Sequence, residues 1–227
     1  MYFCVAFFYM LQEQKIQKTI TFVKETLKNA EAGHDWFHIN RVYNNAILIA
    51  IGEEVDLFVV QLAALLHDIA DSKFNDGDEN IGPLKAQDFL HSLEIDTNTT
   101  THIVKIIANM SYSKSLGNDA LFTSKELQVV QDADRLDAIG AIGIARAFTY
   151  GGYKNRLLYD PEIKPNLNQS KEAYKKSTAP TINHFYEKLL LLKDKMNTKT
   201  GKKIAVERHQ FMELFLEQFY KEWNGVL

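Results

Sequence analysis

The chain has 227 residues, of which 46% are hydrophobic, and a formal net charge of -3 at pH 7. A chain of this length can bury one sizeable core, or one core and a small lid. The slightly negative net charge argues against a general nucleic-acid-binding surface. Its one cysteine, Cys4, excludes an internal disulfide framework and fits a reducing compartment, so we expect the protein to be cytoplasmic.

Glycine and proline are scarce, with 11 and 4 residues, and long amphipathic segments dominate, which predicts an all-α fold. The predicted helices run from Leu11 to Ala30, from an Asp35 cap to Ile51, from an Asp56 cap to the His67-Asp68 pair, from Pro83 to Leu93, from Thr97 to Met110, from Ser124 to Gly152, from Thr178 to Met196 and from Lys199 to Trp223. Residues 72–82 and 153–170 are predicted loops, each a candidate lid.

Residues 1–11 are apolar but shorter than the roughly 20 residues that a membrane span needs. They also lack the basic leader and cleavage site of a secretory signal. Two interpretations stay open: Met10 is the native start, or the first residues form the buried start of the first helix. We prefer a start-site artefact for residues 1–10. We expect one domain, with the C-terminal helices (170–224) packing on its core.

The most informative stretch is the apolar run Leu62–Leu66, which ends in an adjacent histidine and aspartate, His67 and Asp68. A helix this apolar should be buried, and burying a histidine beside an unpaired carboxylate is costly. A divalent cation at the end of the helix would bind both side chains. The plainer interpretation is a polar pair that merely ends a core helix.

Further polar residues interrupt apolar helical patterns elsewhere: His38 in the second predicted helix, and Asp132, Asp134 and Asp137 in the long one. Imidazole and carboxylate ligands together suit Mn²⁺, Fe²⁺, Zn²⁺ or Mg²⁺. The chain has no GxxxxGK phosphate-binding pattern and no motif for a nucleophilic serine or cysteine. These residues therefore favour a divalent metal centre with coordination positions left for water and a substrate oxygen.

Three motifs in this order resemble the HD superfamily of metal-dependent phosphohydrolases: HINRV from His38, LLHD ending at Asp68, and ADRL from Ala133. The resemblance covers about residues 34–148 and implies an all-helical fold of the HD-domain type. It also implies a divalent metal held by His38, His67, Asp68 and Asp134.

A narrower resemblance rests on GHDWFHINRV, AALLHDIADSKF, VVQDADRLDAIGAIGIAR and YDPEIKP. The closing segments INHFYEKLLLLKDKMNT and RHQFMELFLEQFYKEW fit it too. These stretches resemble a bacterial HD subfamily that acts on nucleotides. That resemblance implies pyrophosphohydrolase activity with manganese, in which a (deoxy)nucleoside triphosphate gives a monophosphate and pyrophosphate.

Two ligand positions have rivals close by in the sequence. His34 lies one helical turn before His38, but only His38 stands three residues before Arg41 in the family's spacing. Asp132 lies two residues before Asp134, and the ADRL pattern selects Asp134. We therefore expect His34 to orient a ligand or contact substrate, with a role near the helix start as the alternative.

The resemblance also suggests roles beyond the metal ligands. Asp71, one turn after His67, is the predicted general acid or base, with Asp68 beside it. The expected substrate contacts come from Lys73, His34, Asp137, His184 and Lys188. The alternatives are a carboxylate bonded to loop amides for Asp71 and a simple surface position for Lys73, His184 and Lys188.

The predicted function is therefore hydrolysis of a nucleotide by a metal-bound water, with Mn²⁺ preferred. The alternatives are a nucleoside 5′-monophosphatase, another phosphoesterase on the same site, or a non-catalytic nucleotide-binding regulator. We expect a small phosphorylated substrate as partner, no nucleic acid or membrane, and self-association as a homodimer.

Overall fold

The computed structural model describes residues 2–30, 33–70, 80–110, 122–168 and 177–226. Helices account for the regular structure in these ranges, which confirms the predicted all-α fold. The α-helices are α1 (Tyr2–Thr26), α2 (Trp36–Ala50), α3 (Leu57–Leu66), α4 (Ile81–Ser92), α5 (Thr97–Ala108), α6 (Lys125–Asp137), α7 (Gly140–Tyr153), α8 (Thr181–Glu187) and α9 (Lys199–Trp223). A 3₁₀ helix, Leu189–Lys195, follows α8.

The chain divides into two compact units, Met1–Ala133 and Asp134–Leu227, with the boundary inside α6. The expectation of one domain stays a prediction. Among the helices in the described residues, none has the length and hydrophobicity that crossing a membrane requires.

Helix α3 lies at the centre of the first unit, where it packs against α1, α2 and α5, while α4 packs on α5. Seven of the ten residues of α3 are buried: Val59, Val60, Leu62, Ala63, Ala64, Leu65 and Leu66. The Asp56 side chain begins this helix by accepting hydrogen bonds from the amides of Phe58 and Val59. Burial on almost every side explains why the sequence here is continuously apolar and not amphipathic.

Helix α2 presents one buried face to this core, which includes Ile39, Val42, Ala46 and Ile49. Its predicted cap is confirmed, because Asp35 Oδ1 accepts a hydrogen bond from the His38 amide at 2.9 Å. The cap therefore fixes both the start of the helix and the backbone of a predicted metal ligand.

In the second unit, α7 packs against α8 and α9, and the 3₁₀ helix contacts both α8 and α9. Aromatic side chains fill much of this interior. Phe185 is fully buried and lies 5.8 Å from Phe215 and 5.9 Å from Phe148, measured between ring centroids. Helix α9 begins and ends at the predicted residues.

The prediction of one long helix from Ser124 to Gly152 is wrong, because α6 ends at Asp137 and α7 begins at Gly140. Gly140 has φ +73°, a left-handed conformation that a side chain disfavours. The Arg208 guanidinium donates to the Leu136 carbonyl at 2.5 Å, and Arg146 forms an ion pair with Asp137. Arginines from two later helices, α7 and α9, thus satisfy the end of α6, which the local pattern does not reveal.

The single helix predicted from Thr178 to Met196 is also wrong. Helix α8 begins only after Pro180, and it ends at Glu187, where Lys188 adopts φ -145° and ψ -57°. The predicted α1 differs as well, since the helix ends at Thr26 and not at Ala30. The side chains of residues 1–9 lie outside the described part of the chain.

Replacing Gly140 by alanine should destabilise the protein by about 1–2 kcal/mol, the cost of a left-handed non-glycine residue. The added methyl carbon would also lie 3.0 Å from both Cβ and Cγ of Arg208. Urea unfolding of G140A measures the loss. The matched control is G152A in the same helix, where an added Cβ meets nothing within 4 Å. That control should keep or slightly raise stability, and equal stability of the two variants would contradict this explanation.

Candidate metal centre

Three potential ligands converge at the end of α3. The ligand atoms of His38, His67 and Asp134 all lie within 4.8 Å of one another. His38 is 3% exposed, whereas the other two are half-buried. The three come from α2, the end of α3 and α6. A cluster of two imidazoles and one carboxylate at this spacing has the composition of a divalent metal site.

The position of His67 follows from the way α3 ends. Its ring nitrogen Nδ1 lies 2.9 Å from the Ala64 carbonyl oxygen, which is an acceptor, so Nδ1 carries the hydrogen and donates it. The other nitrogen, Nε2, then has a lone pair available for a metal. The unsatisfied carbonyls at a helix C-terminus also favour a nearby cation. Both features fit a bound metal.

Helix α6 is held against α2 just before Asp134. Buried Asn45, two helical turns after His38, donates its side-chain amide to the Ala133 carbonyl at 3.3 Å. The sequence analysis missed Asn45, although its buried position on the His38 face of α2 was a signal. The carboxylate of Asp134, and not that of fully buried Asp132, belongs to the cluster with the two histidines.

The fourth predicted ligand, Asp68, has a different partner. Its Oδ2 lies 2.6 Å from His34 Nδ1, and both side chains are partly buried. Burial alone would raise the Asp68 pKa. The His34 hydrogen bond and the nearby His67, His34 and His38 rings outweigh that effect and lower the pKa. The resulting carboxylate lies next to the three-residue cluster, so its role as a ligand stays a prediction.

His34 is thus placed where it orients Asp68. Its ring centroid lies 6.1 Å from that of His38, which in turn lies 5.5 Å from that of His67. The imidazoles therefore form a row beside the Asp68 carboxylate. The expectation that His34 also contacts substrate stays a prediction.

Two predicted residues, Asp71 and Lys73, lie outside the described residues. Asp137 is 1% exposed and forms an ion pair with Arg146, whose guanidinium also donates to the Asp137 carbonyl at 3.2 Å. This ion pair joins the last residue of α6 to α7 and so stabilises the turn between the two helices. A substrate contact from Asp137 stays a prediction.

His184 and Lys188 lie in the second unit, on α8 and at its end. Burial, followed by the positive charges of Lys188 and Arg156, lowers the His184 pKa to about 4. The imidazole is therefore neutral near pH 7. Arg156 was missed in the sequence analysis because it lies 28 positions before His184 in an irregular segment, where no periodicity relates the two.

The depressed pKa of His184 should make folding stability fall in acid. Between an ordinary unfolded pKa of 6.5 and a folded pKa of about 4, the unfolded chain binds a proton that the folded chain does not. Stability is thus fully present above pH 6.5 and is lost as the pH falls, by up to about 3 kcal/mol.

The conservative variant H184N should reduce this loss when urea unfolding is measured from pH 7 to pH 4. The control H91N changes a histidine exposed on α4 and should keep the wild-type slope. A wild-type slope in H184N would contradict the effect of burial and of the neighbouring charges.

Comparisons with known proteins agree with the all-α fold and with the family resemblance. The HD domain family model matches residues 36–139, a range that includes His38, His67, Asp68 and Asp134. Bacillus subtilis YpgQ is 38% identical over 219 residues, which cover 96% of this chain and 98% of that protein.

Solved structures of similar sequence share the fold over nearly the whole chain. An HD-superfamily hydrolase from Bacillus thuringiensis is 47% identical with a TM-score of 0.76, covering 94% of this chain and 98% of its own. YpgQ, solved in complex with ADP, has a TM-score of 0.72 at 35% identity, with 93% and 96% coverage. With this agreement in sequence and fold, the chain belongs to the HD-domain superfamily of hydrolases.

Proposed function

We propose that the protein is a metal-dependent nucleotide pyrophosphohydrolase. The observation that carries the proposal is the cluster of His38, His67 and Asp134, which has the ligand types of a catalytic divalent centre. Mn²⁺ is the preferred metal, because a mixed nitrogen and oxygen set suits a borderline cation better than a hard one.

The nucleotide part of the proposal has independent support. The relative YpgQ was solved with ADP, and it matches this chain over nearly its full length. The negative net charge of the chain argues against a general nucleic-acid-binding surface. The substrate we propose is a nucleoside or deoxynucleoside triphosphate.

In the proposed reaction a water oxygen adds to the α-phosphorus, and the bond from that phosphorus to the oxygen bridging toward the β-phosphorus breaks. Pyrophosphate leaves, a nucleoside monophosphate remains, and the proton of the water is released. A bound divalent cation would supply the Lewis acidity that activates the water and offsets charge on the phosphoryl oxygens.

The side chains around the cluster perform the supporting tasks. The Ala64 carbonyl fixes the ring of His67 by accepting its Nδ1 proton, and the Asp35 cap fixes the backbone of His38. The ring nitrogen of His34 holds the Asp68 carboxylate in one orientation. That carboxylate is ionised because its pKa is lowered, and we assign it a part in proton transfer with Asp71 as the second acid or base.

Alanine at His38, His67 or Asp134 should lower metal-dependent turnover by more than about a hundredfold, because each change removes a ligand. Chelation should stop turnover in the wild type, and added Mn²⁺ should restore it. H91A is the control, since His91 is exposed on α4. Retained turnover in H67A would contradict the site.

Phosphorus NMR of the products tests the reaction itself. Nucleoside mono-, di- and triphosphates are offered with Mn²⁺, Mg²⁺ or Zn²⁺, and each product is identified. Pyrophosphate and a monophosphate from a triphosphate is the expected result. Orthophosphate from monophosphates would instead identify a nucleotidase. Binding without turnover under every metal would contradict the proposed reaction and indicate a nucleotide-binding regulator.

A further inference from the structure

Helix α9 has a buried face and an exposed face. The helix packs against α7 and the 3₁₀ helix, and its buried residues are Gly201, Ala205, Met212 and Leu216. A second set of residues, spaced by three or four positions, lies together on the other side of the helix. All six members of this set, the α9 stripe, are exposed: Lys203, Glu207, Phe211, Leu214, Gln218 and Glu222.

The centre of the α9 stripe is apolar and its two ends are polar. Phe211 is 51% exposed and Leu214 is 64% exposed, and a spacing of three positions makes them neighbours on the helix surface. A lysine and a glutamate precede them in the stripe, and a glutamine and a glutamate follow. Exposed apolar side chains are common on protein surfaces, so the charges around them decide what they can bind.

The α9 stripe is complementary to itself when two copies of the helix lie antiparallel. With a two-fold axis at the middle of the apolar patch, Phe211 faces Leu214 of the second copy. The same axis places Lys203 opposite Glu222 of the second copy. Each of these contacts occurs twice, because a two-fold interface uses the same surface on both chains.

Glu207 selects this register against the alternatives. It faces Gln218 of the second copy, whose amide donates one hydrogen to Glu222 within its own chain at 2.7 Å and carries another that can reach Glu207. Sliding one copy by a turn would place Glu207 opposite Glu222 in one direction and opposite Leu214 in the other. A parallel pair would place each charged residue opposite its own copy. Like charges and a carboxylate buried against leucine are both unfavourable, so the charges favour the antiparallel register.

We propose that the α9 stripe is the surface through which two copies of this chain associate, as an antiparallel pair of helices. The expected homodimer would thereby have a defined interface. A single helix pair is a small interface, so the dimer is reversible, with a dissociation constant on the order of micromolar. None of the predicted metal ligands lies on α9, so association through this helix is independent of the proposed reaction.

Sedimentation equilibrium of the full-length protein, over about a hundredfold range of concentration, tests the apolar centre. L214K should raise the dissociation constant more than about tenfold, because it would bury a charge against Phe211 of the second copy. The control K202E changes an exposed lysine of the same helix that lies off the stripe, and it should stay within about twofold of wild type. Circular dichroism should show unchanged helix content in both variants, since both positions are exposed.

Charge reversal at the ends of the stripe tests the antiparallel register. K203E and E222K should each raise the dissociation constant about threefold to tenfold at low salt, because each creates two like-charge pairs in the dimer. An equal mixture of the two variants should associate with near wild-type affinity, since each reversed charge then faces an opposite one. A mixture of K202E with E222K is the matched control, which should remain weakened.

Three results would overturn this interface. A chain that stays monomeric at every concentration would leave the α9 stripe as a docking face for a different protein. A dimer that withstands L214K and both charge reversals would have its interface on another surface. A dimer weakened by L214K, but without recovery in the mixture of K203E and E222K, would contradict the antiparallel pairing.

Discussion

The candidate site depends on the way the buried helix α3 ends in two partly buried polar side chains that need partners. His67 and Asp68 follow a run in which every residue from Leu62 to Leu66 is fully buried. Both side chains are hydrogen-bonded: His67 donates to a carbonyl of its own helix, and the Asp68 carboxylate pairs with the His34 ring. Those contacts orient the remaining ring nitrogen and the carboxylate, and a bound divalent cation would complete their electrostatic balance.

Polar contacts also hold the two helices that supply the other predicted ligands, α2 and α6. Asp35 holds the start of α2, and Asn45 ties the buried face of α2 to α6 immediately before Asp134. Each of these polar contacts therefore restrains the backbone at or next to a predicted ligand, His38 in one case and Asp134 in the other. The Asn45 contact is buried and the Asp35 contact is partly buried, so both restrain the backbone beside the predicted ligands.

Local signals explain which parts of the structure could be predicted from the sequence. Asp35 and Asp56 begin their helices as expected, since capping is encoded within three or four residues. Metal-type ligands were recognisable because polar residues such as His38 stand out in buried helices. The break after Asp137 and the end of α8 at Lys188 were missed. The break after Asp137 is accompanied by a contact distant in sequence, Arg208 with Leu136, which no local pattern reveals.

Anomalous diffraction from crystals soaked with Mn²⁺ tests the central claim most directly, since it locates the metal without relying on turnover. The account predicts one peak per chain, bonded to the imidazoles of His38 and His67 and to the Asp134 carboxylate, and absent in H67A. A peak held elsewhere, or a peak that persists unchanged in H67A, would contradict the assignment of the metal centre.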